Sequence, residues 1–159
     1  LHAHLSAANP HARQLVDGQH ATAVFHGPHA YVTSRWYNHV NVPTWNYIAV
    51  HVSGVVRIMS ESELRESLGQ LMDHYEAGAD RPLTMDSFPD EMIDKYLKGI
   101  VGFELKVEKV EGKWKLSQNR DEESFANIIR ELEQLDDPGA ADVAGEMRSW
   151  KLHHQDEER

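Results

Sequence analysis

Two short segments hold the side chains best suited to chemistry. Val42 to Tyr47, VPTWNY, places Thr44, Trp45, Asn46 and Tyr47 where a loop enters an apolar, strand-like run. Gly112 to Arg120, GKWKLSQNR, places Lys113, Lys115, Ser117, Gln118, Asn119 and Arg120 where a second such run leads into a helix. Each segment sets a flat ring or an aliphatic stem beside hydroxyl, amide and cationic donors. A phosphorylated planar cofactor needs that mixture. Hydroxyls, amide N–H groups and Lys or Arg hold the phosphate, rings and stems wall the plane, and amides read its polar edge. The same residues also have structural uses. Trp45 and Trp114 suit a core, and Ser117 to Arg120 suit the N-terminal cap of a helix. On spacing alone both uses stand.

Other chemistries find less support. His2 and His4 lie two apart on one strand face, and His26 and His29 flank a Gly-Pro pair. Zinc can be held by histidines without cysteine, but no Asp, Glu or third His falls at a matching short spacing, so no metal site is assigned. There is no G-x-S-x-G elbow, no phosphate-binding P-loop and no G-x-G-x-x-G. The carboxylate pairs Glu61/Glu63 and Asp121 to Glu123 open helices, where the macrodipole accounts for them. No catalytic residue is assigned, and His26, His29 and His51 are the side chains an acid–base role would draw on.

Composition narrows the partners. The net charge of −10 disfavours a broad duplex-binding face, so DNA is a partner that charge does not support. No apolar run is long enough to span a bilayer, which excludes a transmembrane helix. With no cysteine there are no disulfides or thiolate nucleophiles, which fits a cytoplasmic location. Residues 25 to 47 hold six of the thirteen aromatic residues in a stretch that lacks helical periodicity.

The elements that must carry these residues follow from periodicity and punctuation. HAHLSA alternates as a half-exposed strand; HATAVFHG reads as a strand ended by Gly27-Pro28, and HAYVTS as a new one. Residues 45 to 60 read as a buried strand with Gly54 at a bulge or bend. Ser60-x-x-Glu63 is a capping box for a helix ending at Gly78, and FPDEMIDKYLKG is a second helix with Pro89 in its first turn. IVGFELKVEKVEGKWKLS reads as two strands around Glu111-Gly112, and DEESFANIIRELEQL as a third helix. The remainder is weakly amphipathic and ends in HHQDEER. The predicted order is five to six strands, two helices, two strands and one or two helices: mainly β, largely antiparallel and barrel-like, with peripheral helices.

The motifs HLSAANPH, FHGPHAYVTSRWY, VPTWNYIAVHVSG and GIVGFELKVEKVEGKWKLSQNR resemble the PaiB family of FMN-binding negative transcriptional regulators, over about Leu1 to Leu135. The resemblance implies an FMN-binding split β-barrel of the pyridoxamine-phosphate-oxidase-like type at 1–136; the helical, solvated tail at 137–159 is read from its residues alone. It implies FMN as cofactor and a homodimer with flavin at the subunit interface. Family members normally carry further N-terminal residues, including the first barrel strands. Three groups of flavin contacts are implied: Ser6 and Asn9; Thr44, Trp45, Asn46 and Tyr47; and Lys115, Ser117, Gln118 and Asn119. The function implied is negative regulation of transcription. The alternatives are a flavin-dependent oxidoreductase of small substrates and a non-catalytic flavin- or haem-binding module.

Overall fold

The β-branched and aromatic run that enters at Thr44 becomes one of the two inner strands of a four-stranded sheet. The computed structural model describes residues 1–154. The strands are β1 (His2–Ser6), β2 (His20–Val32), β3 (Thr44–Ile58) and β4 (Ile100–Lys115), in spatial order β1-β4-β3-β2. The helices are α1 (Glu61–Glu76), α2 (Asp90–Leu97), α3 (Glu122–Glu133) and α4 (Pro138–His154). β1 runs antiparallel to β4, with His2 opposite Glu104 and Ser6 opposite Ile100. The mainly-β antiparallel class with peripheral helices is therefore as expected. Residues 155–159, the end of the tail expected at 137–159, lie outside the described residues.

Two predicted breaks do not occur, and both have a physical reason. β2 runs straight through Gly27-Pro28 instead of dividing there. It is the edge strand of the sheet, and an edge tolerates proline because one row of its backbone groups needs no ladder partner. The more buried positions change from Ala21 and Ala23 to Ala30 and Val32 along the strand. β4 likewise continues through Glu111-Gly112. Among the described residues only Gly18 and Ser117 have positive φ, so Gly112 is not in the left-handed conformation that tight hairpins favour. Three strands thus precede the first helix pair and one follows it.

Contacts divide the chain into two compact units, Leu1–Ala23 with Val52–Val110, and Val24–His51 with Glu111–Arg159. In the first unit the expected capping box starts α1. Glu63 Oε2 accepts from Ser60 N–H at 2.8 Å, and Ser60 Oγ accepts from Glu63 N–H at 3.3 Å. Its core is Met59, Leu64, Ile93 and Leu97, with Leu68, Met85, Phe88 and Ile100 packed against them. Gly54 lets β3 lie close against β4: a Cβ there would sit 2.0 Å from the Lys106 carbonyl oxygen. Backbone cannot swing aside as a side chain can. Gly54→Ala is expected to destabilise the protein by about 3 kcal/mol, read from the urea midpoint, and a loss below about 1 kcal/mol would show that the strands separate freely.

In the second unit α3 and α4 pack on each other and on Ala30, Val32, Tyr37 and Leu116. α3 contributes Phe125, Ile128, Ile129 and Leu132; α4 contributes Ala140, Val143, Ala144 and Met147. Asp121, not Ser117 to Arg120, caps α3, its Oδ1 accepting from Ser124 N–H at 2.9 Å. That bond, with a second from the Ser124 hydroxyl, holds the Asp121 carboxyl below its ordinary 3.8. A carboxyl depressed by folding stabilises above its unfolded value, and that stabilisation is lost as pH falls through the lower folded value. Asp121→Asn retains a cap acceptor but does not titrate. Its stability is expected to fall less than the parent's between neutral pH and about pH 3, by chemical denaturation at each pH; equal losses would place the acid sensitivity elsewhere.

Candidate functional site

The turn that leaves β4 is built around Ser117, whose φ of 61° is unusual for a residue with a side chain. That conformation costs roughly 1–2 kcal/mol, so its neighbours must hold it. They do so with a closed set of bonds. Leu116 N–H donates to Gln118 Oε1 at 2.8 Å, Gln118 Nε2 donates to the Trp114 carbonyl at 2.7 Å, and Arg120 N–H donates to the Ser117 carbonyl at 3.0 Å. Ser117 Oγ reaches across to Asn46 Oδ1 at 3.0 Å, tying the end of β4 to the start of β3. Asn46 is fully buried, and its Nδ2 donates to Met147 Sδ at 3.4 Å on α4. Lys115 Nζ donates to Thr44 Oγ1. Among the described residues no carboxylate pairs with Lys115.

Side chains alternate along a strand, so Thr44 and Asn46 share one face of β3 while Trp45 and Tyr47 share the other. The Trp45 indole packs against His29 at 6.1 Å and edge-on to Tyr31 at 5.7 Å between ring centroids. It is 51% exposed and Trp114 is 49% exposed, so neither tryptophan is the core residue that its type alone would allow. Trp45, His29 and Tyr31 wall an open cleft of about 690 Å³, which also takes in Thr33, Arg35 and Asp137. That volume lies within the range of small-ligand sites. Thr33 Oγ1 accepts from Arg35 N–H at 3.4 Å, capping the short 3-10 helix Ser34–Trp36 from which the Arg35 side chain projects.

The ten residues expected at the cofactor therefore fall into distinct places. Thr44 meets Lys115, and Asn46 meets Ser117. Trp45 faces the cleft, Tyr47 is half-buried, and Gln118 serves its own turn beside exposed Asn119. Ser6 and Asn9 belong to the first unit. Ser6 Oγ accepts from Ala8 N–H at 3.3 Å, and Asn9 Oδ1 accepts from His11 N–H at 2.9 Å at the head of a short 3-10 helix. Thr33 and Arg35 were not singled out by sequence reasoning. The usable signal is the Thr-Ser-Arg-Trp turn that follows an aromatic strand.

Two further atoms lie in the second unit. The Arg120 guanidinium stacks over the Tyr37 ring at 4.6 Å, and both Arg120 Nε and the Tyr37 hydroxyl are buried without a hydrogen-bond partner. Buried donors are normally satisfied. Lys115 with Thr44, and Arg35 in the Trp45 cleft, are donors of the kind that an anion-bearing, ring-bearing ligand such as a phosphorylated flavin needs.

Comparison with known proteins agrees with that chemistry. Residues 1–109 match the family described as "Putative FMN-binding domain". The chain is 40% identical, over 152 residues, to Protease synthase and sporulation protein PAI 2 of Bacillus subtilis (strain 168), covering 96% of this chain and 73% of that one. It is 25% identical over 189 residues to an uncharacterized protein of Emericella nidulans, covering 95% and 75%. Two solved structures share the fold at a TM-score of 0.52. They are the FAD and heme binding protein from Mycobacterium smegmatis, 17% identical, and the flavocytochrome Anf3 from Azotobacter vinelandii, 18% identical. Each match covers 79% of this chain but only 58% and 55% of those chains, so this chain spans little more than half their length. The expected split-barrel class stands. By its match to residues 1–109 and its identity to PAI 2, the chain belongs to the FMN-binding domain family that its PaiB-like motifs indicated.

Proposed function

We propose that this chain binds FMN and acts as a homodimeric, PaiB-type negative regulator of transcription in the cytoplasm. One observation carries the binding site. An exposed indole and a lysine–hydroxyl pair, none of them needed by the core, stand at the two adjacent residues that open β3. In this reading Trp45 walls the flavin ring and Lys115 with Thr44 holds the phosphate; because the two lie on opposite faces of β3, ring and phosphate are held by different subunits of the dimer. Ser117 and Asn46 act beneath them by fixing where β3 and β4 begin and end. FMN, when bound, would supply redox chemistry; the residues named here bind and orient it.

The homodimer rests on Phe25, Tyr31, Trp45 and Trp114, four large rings of the second unit each left about half exposed. Half-exposed aromatic residues are what a subunit interface covers. The regulatory role rests on membership of the family and on PAI 2, whose name ties it to protease synthesis and sporulation. A chain of net charge −10 makes a poor phosphate-binding surface, so repression through a protein partner is favoured over broad DNA contact.

The test is an FMN titration of the full-length protein followed by its visible spectrum and its mass in solution. A perturbed flavin band and a dimer mass are expected. An unperturbed band at saturating flavin would remove the binding reading, and a monomer mass would remove the dimer. His29 is an acid–base candidate in the cleft, so repeated NAD(P)H oxidation would move the reading to an oxidoreductase.

A further inference from the structure

The first unit carries an apolar groove that the flavin reading does not use. It is walled by Leu68, Leu71 and Met72 of α1, by Met85 beyond that helix, and by Met92 and Tyr96 of α2. Its volume is about 280 Å³, below the usual range of drug-sized ligand sites, but it has room for a few anchoring side chains. Leu71, Met92 and Tyr96 are 45%, 41% and 64% exposed, so the apolar lining reaches solvent. Three of the chain's five methionines line it, and methionine is the apolar side chain best able to reshape around a partner.

The charge around this groove says what would cover it. Residues 61 to 98, which carry almost the whole lining, hold ten Asp or Glu and only four Lys or Arg. One of those four, Arg65, is already engaged with Asp90 and Asp94 and draws α2 to α1. The residues next to the lining in sequence are acidic at Asp73, Asp86, Glu91 and Asp94 and basic at Lys95 and Lys98, so the acidic ones prevail. An apolar, methionine-rich trough with an acidic surround is complementary to a helix with apolar anchors and flanking Lys or Arg. A second copy of this chain would bring the same acidic excess against it, and nucleic acid or an anionic bilayer would be repelled.

We propose that the groove between α1 and α2 is a docking site for a basic amphipathic helix of another protein. The anchors enter the trough at the i, i+3/i+4 and i+7 spacing, and the flanking cations meet the acidic surround. The groove shares no lining residue with the proposed flavin contacts, so its test is read independently of FMN binding.

The probe is a synthetic Leu–Lys peptide of roughly fourteen residues with its leucines on one helical face. Two control peptides go with it: one of the same composition with the leucines spread around the helix, and one with Glu in place of Lys. Binding to the full chain is followed by calorimetry and by the methyl NMR signals of the five methionines. The one-faced Leu–Lys peptide is expected to bind and to move Met72, Met85 and Met92 but not buried Met147. Its affinity should weaken with added salt and drop at least about tenfold in Met92→Lys and in Tyr96→Lys, both at exposed positions where the fold persists by circular dichroism. Equal binding of either control peptide would overturn the proposal. So would affinity unchanged in both variants, or a halved solution mass in Met92→Lys, which would give the groove to a second copy.

Discussion

Lys115→Glu is expected to weaken FMN binding about a hundredfold while leaving riboflavin within about twofold. The two ligands differ only in the phosphate, so the pair isolates the charge. Lys115 is a half-buried cation whose hydrogen bond goes to the Thr44 hydroxyl, with no carboxylate paired to it among the described residues. A hydrogen bond to a charged group contributes about 1.5–3 kcal/mol, and reversing the sign adds repulsion to the loss. The fold should tolerate the change, because the Thr44 hydroxyl can donate to the carboxylate introduced beside it. Equal losses for FMN and riboflavin would mean that Lys115 shapes the site without touching phosphate. If FMN affinity is unchanged but falls in Arg35→Ala, the phosphate lies in the Trp45 cleft, which Arg35 and Thr33 line.

Trp45→Ala is expected to weaken FMN and riboflavin alike, by about thirtyfold, with a small change in stability. An aromatic platform under a flat heterocycle contributes roughly 2 kcal/mol, which is that fold-change. A buried tryptophan cut to alanine would cost the fold about 3–5 kcal/mol, but Trp45 is 51% exposed and its ring neighbours are His29 and Tyr31 at the surface. The two readouts therefore separate ligand wall from core. A full-size loss of stability with flavin affinity intact would return Trp45 to a structural role.

The capping box at Ser60 and Glu63, the helix over Phe125 to Leu132 and the antiparallel class of the sheet were all legible in the chain itself. The cap and the helix depend on residues one to four apart, and such near neighbours carry their own signal; the sheet class was read from strands joined by short loops, although β1 pairs with β4 from far along the chain. The family was legible for a related reason, since its motifs are long, ordered stretches. The break at Gly27-Pro28 was misread because proline is a strand-breaker only where a ladder partner waits on both sides. Its place at the sheet edge comes from pairing with β3, far away in sequence.

The site divides along the same line. That hydroxyls, amides, cations and rings gather in VPTWNY and GKWKLSQNR is a property of the sequence, and so is the alternation that must separate Thr44 and Asn46 from Trp45 and Tyr47. Which group is buried is not. Asn46 goes inside because Met147 and Ser117, 101 and 71 positions away, supply its hydrogen bonds, and Trp45 stays out because the core beneath β3 is already filled by α3 and α4. The role of α4 in that core was equally hidden, since its buried face includes Ala140 and Ala144, whose small side chains give a weak apolar stripe. Composition and spacing thus selected the chemistry; burial, set by partners distant along the chain, decided which of those side chains are left free to meet a ligand.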